Sequence, residues 1–271
     1  LALVLFVSTN SFGSHILGGD ITWTCNGSGD YIFQLTFYRD CNGADVNTVS
    51  VDLGVWNHPT ITTIPVQYLS REDVSPICQQ VGGGPTPLSC GSGAFGGNGI
   101  GAIEKILYQS APITLNGTPP AEGWIFTYKD FSRNTALTNL QNPASYGITL
   151  ASTMFAIPNS PGGCVDNSPQ FLQEPYFVSC VGDQYEYNMN PVDIDLDSIS
   201  VSFGQPMDRI LGATYNPPSD PIPVPYEPGF SVNSPTPGTG MNAGNVSANV
   251  DPLSGNLTFL SNNAGNFAIK V

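Results

Sequence analysis

The sequence predicts an all-β, disulfide-bonded protein built of β-sandwich modules, with very little helix. Three observations predict it. Apolar residues recur at every second position in many short stretches. Glycine (30) and proline (24) punctuate a chain of 271 residues densely enough to supply turns between short strands. Six cysteines, an even number with no C-x-x-C pair, suit an oxidised exported chain better than a zinc knuckle or a thioredoxin-type site.

The elements follow in order. Residues 20–25 alternate, with Ile21, Trp23 and Cys25 on one face. Asn26-Gly27-Ser28-Gly29-Asp30 is a turn, and residues 31–39 alternate again with Phe33, Leu35 and Phe37 on one face. Together they predict a β-hairpin. Val49, Val51, Leu53 and Val55 repeat at period two, as do Trp124, Phe126 and Tyr128. Further strands are expected at 147–154, 199–203, 256–260 and 266–271, and a single short helix at 103–108. Residues 215–238 are Pro-rich and polar, and predict a long loop or an edge-strand crossing. No short internal repeat of constant period is visible.

Composition narrows the function. Only seven residues are Lys or Arg, against 21 Asp and Glu, for a formal net charge of −14. So few cations cannot neutralise a phosphate backbone or an anionic bilayer, so neither nucleic acid nor a membrane surface is an expected partner. The opening Leu1-Ala2-Leu3-Val4-Leu5-Phe6-Val7 is too short to span a bilayer, and no other stretch approaches a membrane span. Ser11 and Gly13 make a signal-peptidase site after Gly13, so residues 1–13 read as the remnant of a signal peptide lacking its Met and basic region. An extracellular or cell-surface location follows. The chain reads as a fragment, because residues 267–271 stop inside an expected strand. The expected organisation is an N-terminal β-sandwich-like domain over 14–180 and a truncated second sandwich over 181–271.

Of the cysteines, Cys78 and Cys90 are expected to pair first, since Gly82-Gly83-Gly84-Pro85-Thr86-Pro87 lets the thiols meet. Closing that loop is worth roughly 3 kcal/mol in the chain-entropy model. Cys25 and Cys41 are a poor pair. In a regular hairpin they lie roughly 33 Å apart, beyond disulfide reach. Either the hairpin is interrupted or these two find Cys164 and Cys180. All six are expected to be oxidised, which removes a thiol nucleophile.

The sharpest local feature is Asp193-Ile194-Asp195-Leu196-Asp197. Carboxylates at every second position repel on a strand face, a cost removed by a hard cation, and Ca²⁺ takes six to eight oxygens. Asp193, Asp195 and Asp197 are therefore the candidate calcium ligands, set against a solvated acidic turn. The stretch lacks the Gly and closing Glu of an EF-hand loop. Gly96-Gly97-Asn98-Gly99-Ile100-Gly101 sits in no βαβ unit and reads as a plain loop. His15 and His58 belong to no HExxH motif, there is no GxSxG elbow, and no carboxylate pair is singled out, so no catalytic residue is assigned and no enzyme is expected. Trp23 and Trp124 are expected in the core. Trp56, if exposed beside a polar surface, favours a sugar-binding face.

Several motifs carry a family resemblance. Ser14-His15-Ile16-Leu17-Gly18-Gly19-Asp20-Ile21-Thr22-Trp23-Thr24-Cys25 resembles the S-H-I-x-G-G-E-I-T-Y-x-C opening of large Bacteroidetes surface proteins, and Tyr38-Arg39-Asp40-Cys41 their Y-R-D-C. Ser132-Arg133-Asn134 with Asn139-Leu140 is similar to R-N-x-x-x-x-N-[IL], and Asn167-Ser168-Pro169-Gln170-Phe171 to N-S-S-P-x-F. The 193–199 stretch resembles D-x-D-G-D-S-L, with Leu196 in place of the glycine. Asp251-Pro252-Leu253-Ser254-Gly255-Asn256-Leu257 looks like the D-P-x-T-G-x-L turn of a cadherin-like or immunoglobulin-like module. Asp20 replaces Glu, and the family's cysteine pair before R-N is missing. The ordered series, spanning most of 14–271, implies the N-terminal region of gliding-motility-associated, adhesin-like proteins exported by type IX secretion. The resemblance implies a secreted structural or adhesion role toward glycan or protein ligands at surfaces, with self-association open. The alternatives are a carbohydrate-binding appendage of a secreted polysaccharide-degrading enzyme, or a hydrolase in its own right.

Overall fold

The computed structural model describes residues 16–76, 87–93, 95–99, 101–131, 133–156, 164, 166–174, 178–212, 215 and 220–271. The expected leader (1–13) and Cys78 lie outside the described residues. The described chain is all-β and antiparallel. Its strands are β1 (Ile16–Cys25), β2 (Asp30–Asp40), β3 (Ser50–Trp56), β4 (Thr63–Asp73), β5 (Ile103–Ser110), β6 (Ile113–Thr114), β7 (Trp124–Asp130), β8 (Ile148–Met154), β9 (Gln170–Phe171), β10 (Gln184–Asn188), β11 (Pro191–Val192), β12 (Val246–Val250) and β13 (Asn256–Leu260). One turn of 3₁₀ helix, Pro143–Ser145, is the only helix among the described residues.

The large sheet runs β1-β2-β5-β4-β3-β7-β8, with β6 on the end of β2. The predicted hairpin is its first pair, with Trp23 opposite Phe33 and Ile21 opposite Leu35. The sheet doubles over, so that inward side chains of β1 and β2 meet those of β7. Phe126 lies 4.5 Å from Phe33 and 5.4 Å from Trp23 between ring centroids, and Tyr128 stacks on Phe37 at 5.8 Å. These residues and Trp124, Leu53, Val66, Ile106 and Tyr108 are buried in one core. Gly19 is needed on β1, because a Cβ there would lie 2.3 Å from the Thr36 carbonyl oxygen.

A smaller sheet, β10-β13-β12, holds a second core of Met189, Val201, Ala248, Leu257 and Phe259. The boundary expected near 181 falls between β9 and β10, and β9 pairs with β11 across it. The described part of the Pro-rich stretch, residues 215 and 220–238, forms only isolated bridges, and it docks on residues 139–141. Gln141 donates its N–H to Pro225 O at 2.9 Å, and Glu227 donates to Asn139 O at 3.0 Å.

Several expectations are corrected. Residues 103–110 are a central strand, not a helix. Ile103, Ile106 and Leu107 mimic helical spacing, but pairing with both β2 and β4 overrides that local preference. Residues 199–203 form neither ladder nor bridge, and residues 266–271 form no ladder and contribute only the bridges of Asn266 to Leu137 and of Lys270 to Gly204. β4, β10 and β12 were not predicted, although Ile64, Val66 and Tyr68, Tyr185 and Tyr187, and Val246, Ala248 and Val250 each recur at every second position.

The cysteines pair differently from the first expectation. Cys90 bonds Cys41, not Cys78. The β2–β5 ladder ends at Asp40 opposite Ile103, and the following loop folds back on Cys41. Cys41 donates to Ala102 O at 2.9 Å and accepts from Gly97 N at 3.0 Å, while Cys90 bridges Gly97. That delivers Cys90 to Cys41, with Cα atoms 5.5 Å apart. Gly96 and Gly97 thus belong to a loop of the disulfide. Cys25 bonds Cys164 across 139 residues, as one branch of the hairpin argument allows. Cys180 is an exposed free thiol, so the expectation that all six are oxidised fails there.

Beneath the Cys41–Cys90 loop lies a buried ion network. Arg39 is 0% exposed and its Nε donates to Glu104, which is 1% exposed. Arg39 Nη1 also donates to Gly43 O (2.9 Å) and Ala44 O (2.6 Å). Arg71 reaches Asp45 at 2.5 Å, and its Nε approaches Glu104 at 3.2 Å without hydrogen-bond geometry.

Candidate functional site at the junction of the two cores

Cys164 and residues 166–168 link the large sheet to the acidic loop. Ser168 pairs with the edge of β1, its N–H donating to Trp23 O at 3.1 Å and its Oγ accepting from Trp23 N at 2.8 Å. Asn167 Oδ1 accepts the Cys25 N–H at 2.6 Å, beside the Cys25–Cys164 bridge. On its other side Asn167 binds Asp195, donating from its backbone N (2.7 Å) and from Nδ2 (2.9 Å). One asparagine therefore connects the hairpin's turn end to the loop that leaves β11. Glu174 makes a second tie, accepting from Lys105 Nζ at 2.8 Å and from the Tyr38 hydroxyl.

The loop is organised by Asp193. Its Oδ1 accepts the N–H of Asp195 at 2.8 Å and of Asp197 at 3.2 Å. Leu196 sits at φ 64°, the left-handed region that glycine enters without strain. Leu196 therefore adopts the turn that glycine favours. Its side chain is 90% exposed, so the bulky group is accommodated by pointing into solvent.

A fourth carboxylate joins the three aspartates. Burial, reinforced by repulsion from Asp193, Asp195 and Asp197, pushes Asp166 up to about 6. The donor set is all hard oxygen, as Ca²⁺ prefers. The three predicted aspartates do not converge to within 4.8 Å of one another, because Asp195 is turned onto Asn167. The one tight group of conventional ligand types among the described residues, Cys41, Cys90 and Glu104, has both sulfurs in a disulfide and so is no metal centre.

Sequence reasoning missed the residues that hold the second unit down. Arg133 donates to Gly147 O (2.9 Å) and Met207 O (2.7 Å), and its burial pulls the guanidinium down to about 10. Asn139, fully buried, donates to Pro235 O and Ala268 O and accepts from Ala268 N. Both lie in the R-N…N-L stretch. The motif was visible, but its purpose of saturating carbonyls of irregular segments, most of them far away in sequence, was not.

Trp23 and Trp124 are in the core as expected, 2% and 0% exposed. Trp56 is half-buried, donating from Nε1 to Thr127 Oγ1 at 3.0 Å and lying 5.6 Å from the Tyr215 ring. His58 packs 4.6 Å from Trp124 and its Nδ1 accepts the N–H groups of Thr60 (3.2 Å) and Ile61 (3.0 Å). Burial lowers its pKa below the ordinary histidine range. The unfolded chain therefore takes up the proton first. Full stability holds above the unfolded value of about 6.5, and is lost as pH falls through it toward the lowered folded value. His58→Asn keeps an acceptor for both N–H groups without titrating. The slope of melting temperature between pH 7.5 and 5 is expected to be shallower in that variant. An identical slope would remove His58 from the acid response.

No family model, curated protein or solved structure matches the chain.

Proposed function

We propose that the chain is part of a secreted cell-surface protein with a structural or adhesive role, in the manner of the gliding-motility-associated proteins it resembles, and that it performs no chemistry. The observation that carries this reading is the stapled junction. A disulfide, Asn167 and Ser168 fasten the acidic loop to the edge of the large sheet, which suits a β-module that transmits load. The test is surface labelling of intact cells of the producing organism, followed by attachment and spreading of a strain deleted for the gene. Antibody access on intact cells and weakened attachment are expected. Protein found only inside the cell would overturn the reading.

Calcium at Asp193, Asp195 and Asp197, with Asp166 as a fourth carboxylate, would stiffen the same junction by cancelling their repulsion. Extracellular calcium modules bind at about 10⁻⁴–10⁻³ M. At about 10 mM Ca²⁺ such a site adds about 1.4–2.7 kcal/mol of stability. The melting temperature is expected to rise with calcium and fall back in EGTA. Asp193→Asn, which retains the turn-forming acceptor, should abolish the difference. A melting curve indifferent to both additions would exclude a calcium role.

A second reading, a carbohydrate-binding appendage of a secreted enzyme, is favoured by the half-buried Trp56–Tyr215 pair. A glycan array probed with the Trp56→Ala variant beside the native chain separates it from adhesion through protein contacts.

A further inference from the structure

Seven cations serve a chain of net charge −14, and three of them are tied to carboxylates. Arg39 pairs with Glu104, Arg71 with Asp45, and Lys105 with Glu174. Arg133 is spent on carbonyls. Two others, Lys129 and Arg209, line one depression of about 430 Å³ with Asp130, Phe131, Ile210 and Leu211, the size of a small-ligand site.

Among the described residues neither cation has a carboxylate partner there. The Arg209 guanidinium lies 4.3 Å over the Phe131 ring. Among the described residues it makes no hydrogen bond, and its Nε is buried without an acceptor. Stacking holds the planar fork flat while leaving its donors unused. Lys129 Nζ donates to Ile210 O and Gly212 O, both at 3.1 Å, which fixes the ammonium and leaves one of its three donors over. Asp130 is already engaged, accepting from the Tyr128 hydroxyl at 3.3 Å. Two apolar side chains flank the cations in water, Phe131 at 50% and Leu211 at 65% exposure.

Fixed donors without acceptors, next to exposed apolar surface, fit a ligand that is anionic at one point and apolar over a ring face. We propose that this depression binds an acidic saccharide unit, with Arg209 and Lys129 holding its carboxylate or sulfate ester and Phe131 and Leu211 packing on the ring. This rests on the reading of the chain as a surface protein that binds glycans, and adds the chemical class. The guanidinium fork takes an oxyanion through two parallel N–H groups. Two cations are too few for a polyanionic backbone, which keeps nucleic acid outside the inference.

Calorimetric titration of the full chain tests it, using an oligouronate, a sulfated oligosaccharide and a neutral oligosaccharide of equal length, each at low and high salt. At least one acidic class is expected to bind, more weakly as salt rises, and the two acidic arms identify which oxyanion is read. Arg209→Gln and Lys129→Gln are each expected to weaken binding about tenfold or more, with thermal unfolding recorded to show that the fold is intact. Arg209→Lys, which keeps charge but loses the fork, should also weaken it. Acidic ligands that fail to bind the native chain, or that bind intact Gln variants undiminished, overturn the inference. Inorganic sulfate competing as tightly as the oligosaccharide overturns its saccharide part. Neutral glycans binding alone would sink the inference and leave glycan binding standing. Binding of none would remove glycan binding as well, while the surface-attachment assay still decides the adhesive role.

Discussion

Phe126→Ala is expected to destabilise the fold by about 3–5 kcal/mol. Phe126 is fully buried and sits where the doubled sheet meets itself, between Phe33 and Trp23. Truncation removes its burial and leaves a void whose walls cannot collapse. Those walls include large rings on two strands, β1 and β2, held by their ladder pairing. A loss of this size is a large fraction of a typical domain's stability. The measurement is denaturant unfolding, with a lowered midpoint and an unchanged slope. Phe126→Leu, which retains most of the volume, should cost clearly less. Equal losses for the two would mean that volume at this position does not govern the core.

Arg39→Met should cost about 3–5 kcal/mol, because it leaves Glu104 buried without its main partner. The flanking Arg71 is 22% exposed and approaches Glu104 without hydrogen-bond geometry, so it compensates poorly. The Arg39 guanidinium also satisfies Gly43 O, Ala44 O and Gly93 O, and the loop carrying Cys90 loosens with it. The double variant Arg39→Met with Glu104→Leu should recover part of the loss, because no buried charge is then stranded. Strictly additive losses in that cycle would show that the pair is not coupled.

The parts of the fold legible in the sequence are those governed by local alternation. The β1–β2 hairpin, β3, β7, β8 and β13 read directly, because apolar residues recur in them at short strand-like spacing, even in β7, where residues 124–128 are buried on both faces. Ile103–Ser110 was misread because it is central, and its identity is fixed by Glu104 meeting Arg39 and by two neighbours far away in sequence. The pairing of Cys90 failed for the same reason. The loop that makes Cys78 and Cys90 look like neighbours says nothing of the ladder that carries Cys90 to Cys41. At the candidate site, the aspartates were visible as a pattern. The part of Asn167, which turns Asp195 away from the other carboxylates, is a tertiary fact. The Lys129–Arg209 depression left no motif, since its cations are 80 residues apart and meet through the strap that crosses β8.

The Cys25–Cys164 bridge and the Trp23–Ser168 pairing impose an order on assembly. The partner that covers the edge of β1 lies 145 residues downstream, whereas Cys41 and Cys90 are separated by only 49. Closing the 139-residue loop costs about 0.9 kcal/mol more chain entropy than closing the shorter one. A chain delivered from its N-terminus can oxidise the inner bridge early, while the first strand waits with one edge open until the segment around Ser168 arrives. During that wait the edge is a template for any other strand. The outer staple is thus the closing step of the first unit, and an oxidant supplied too late would show as aggregation through β1 rather than as loss of the finished fold.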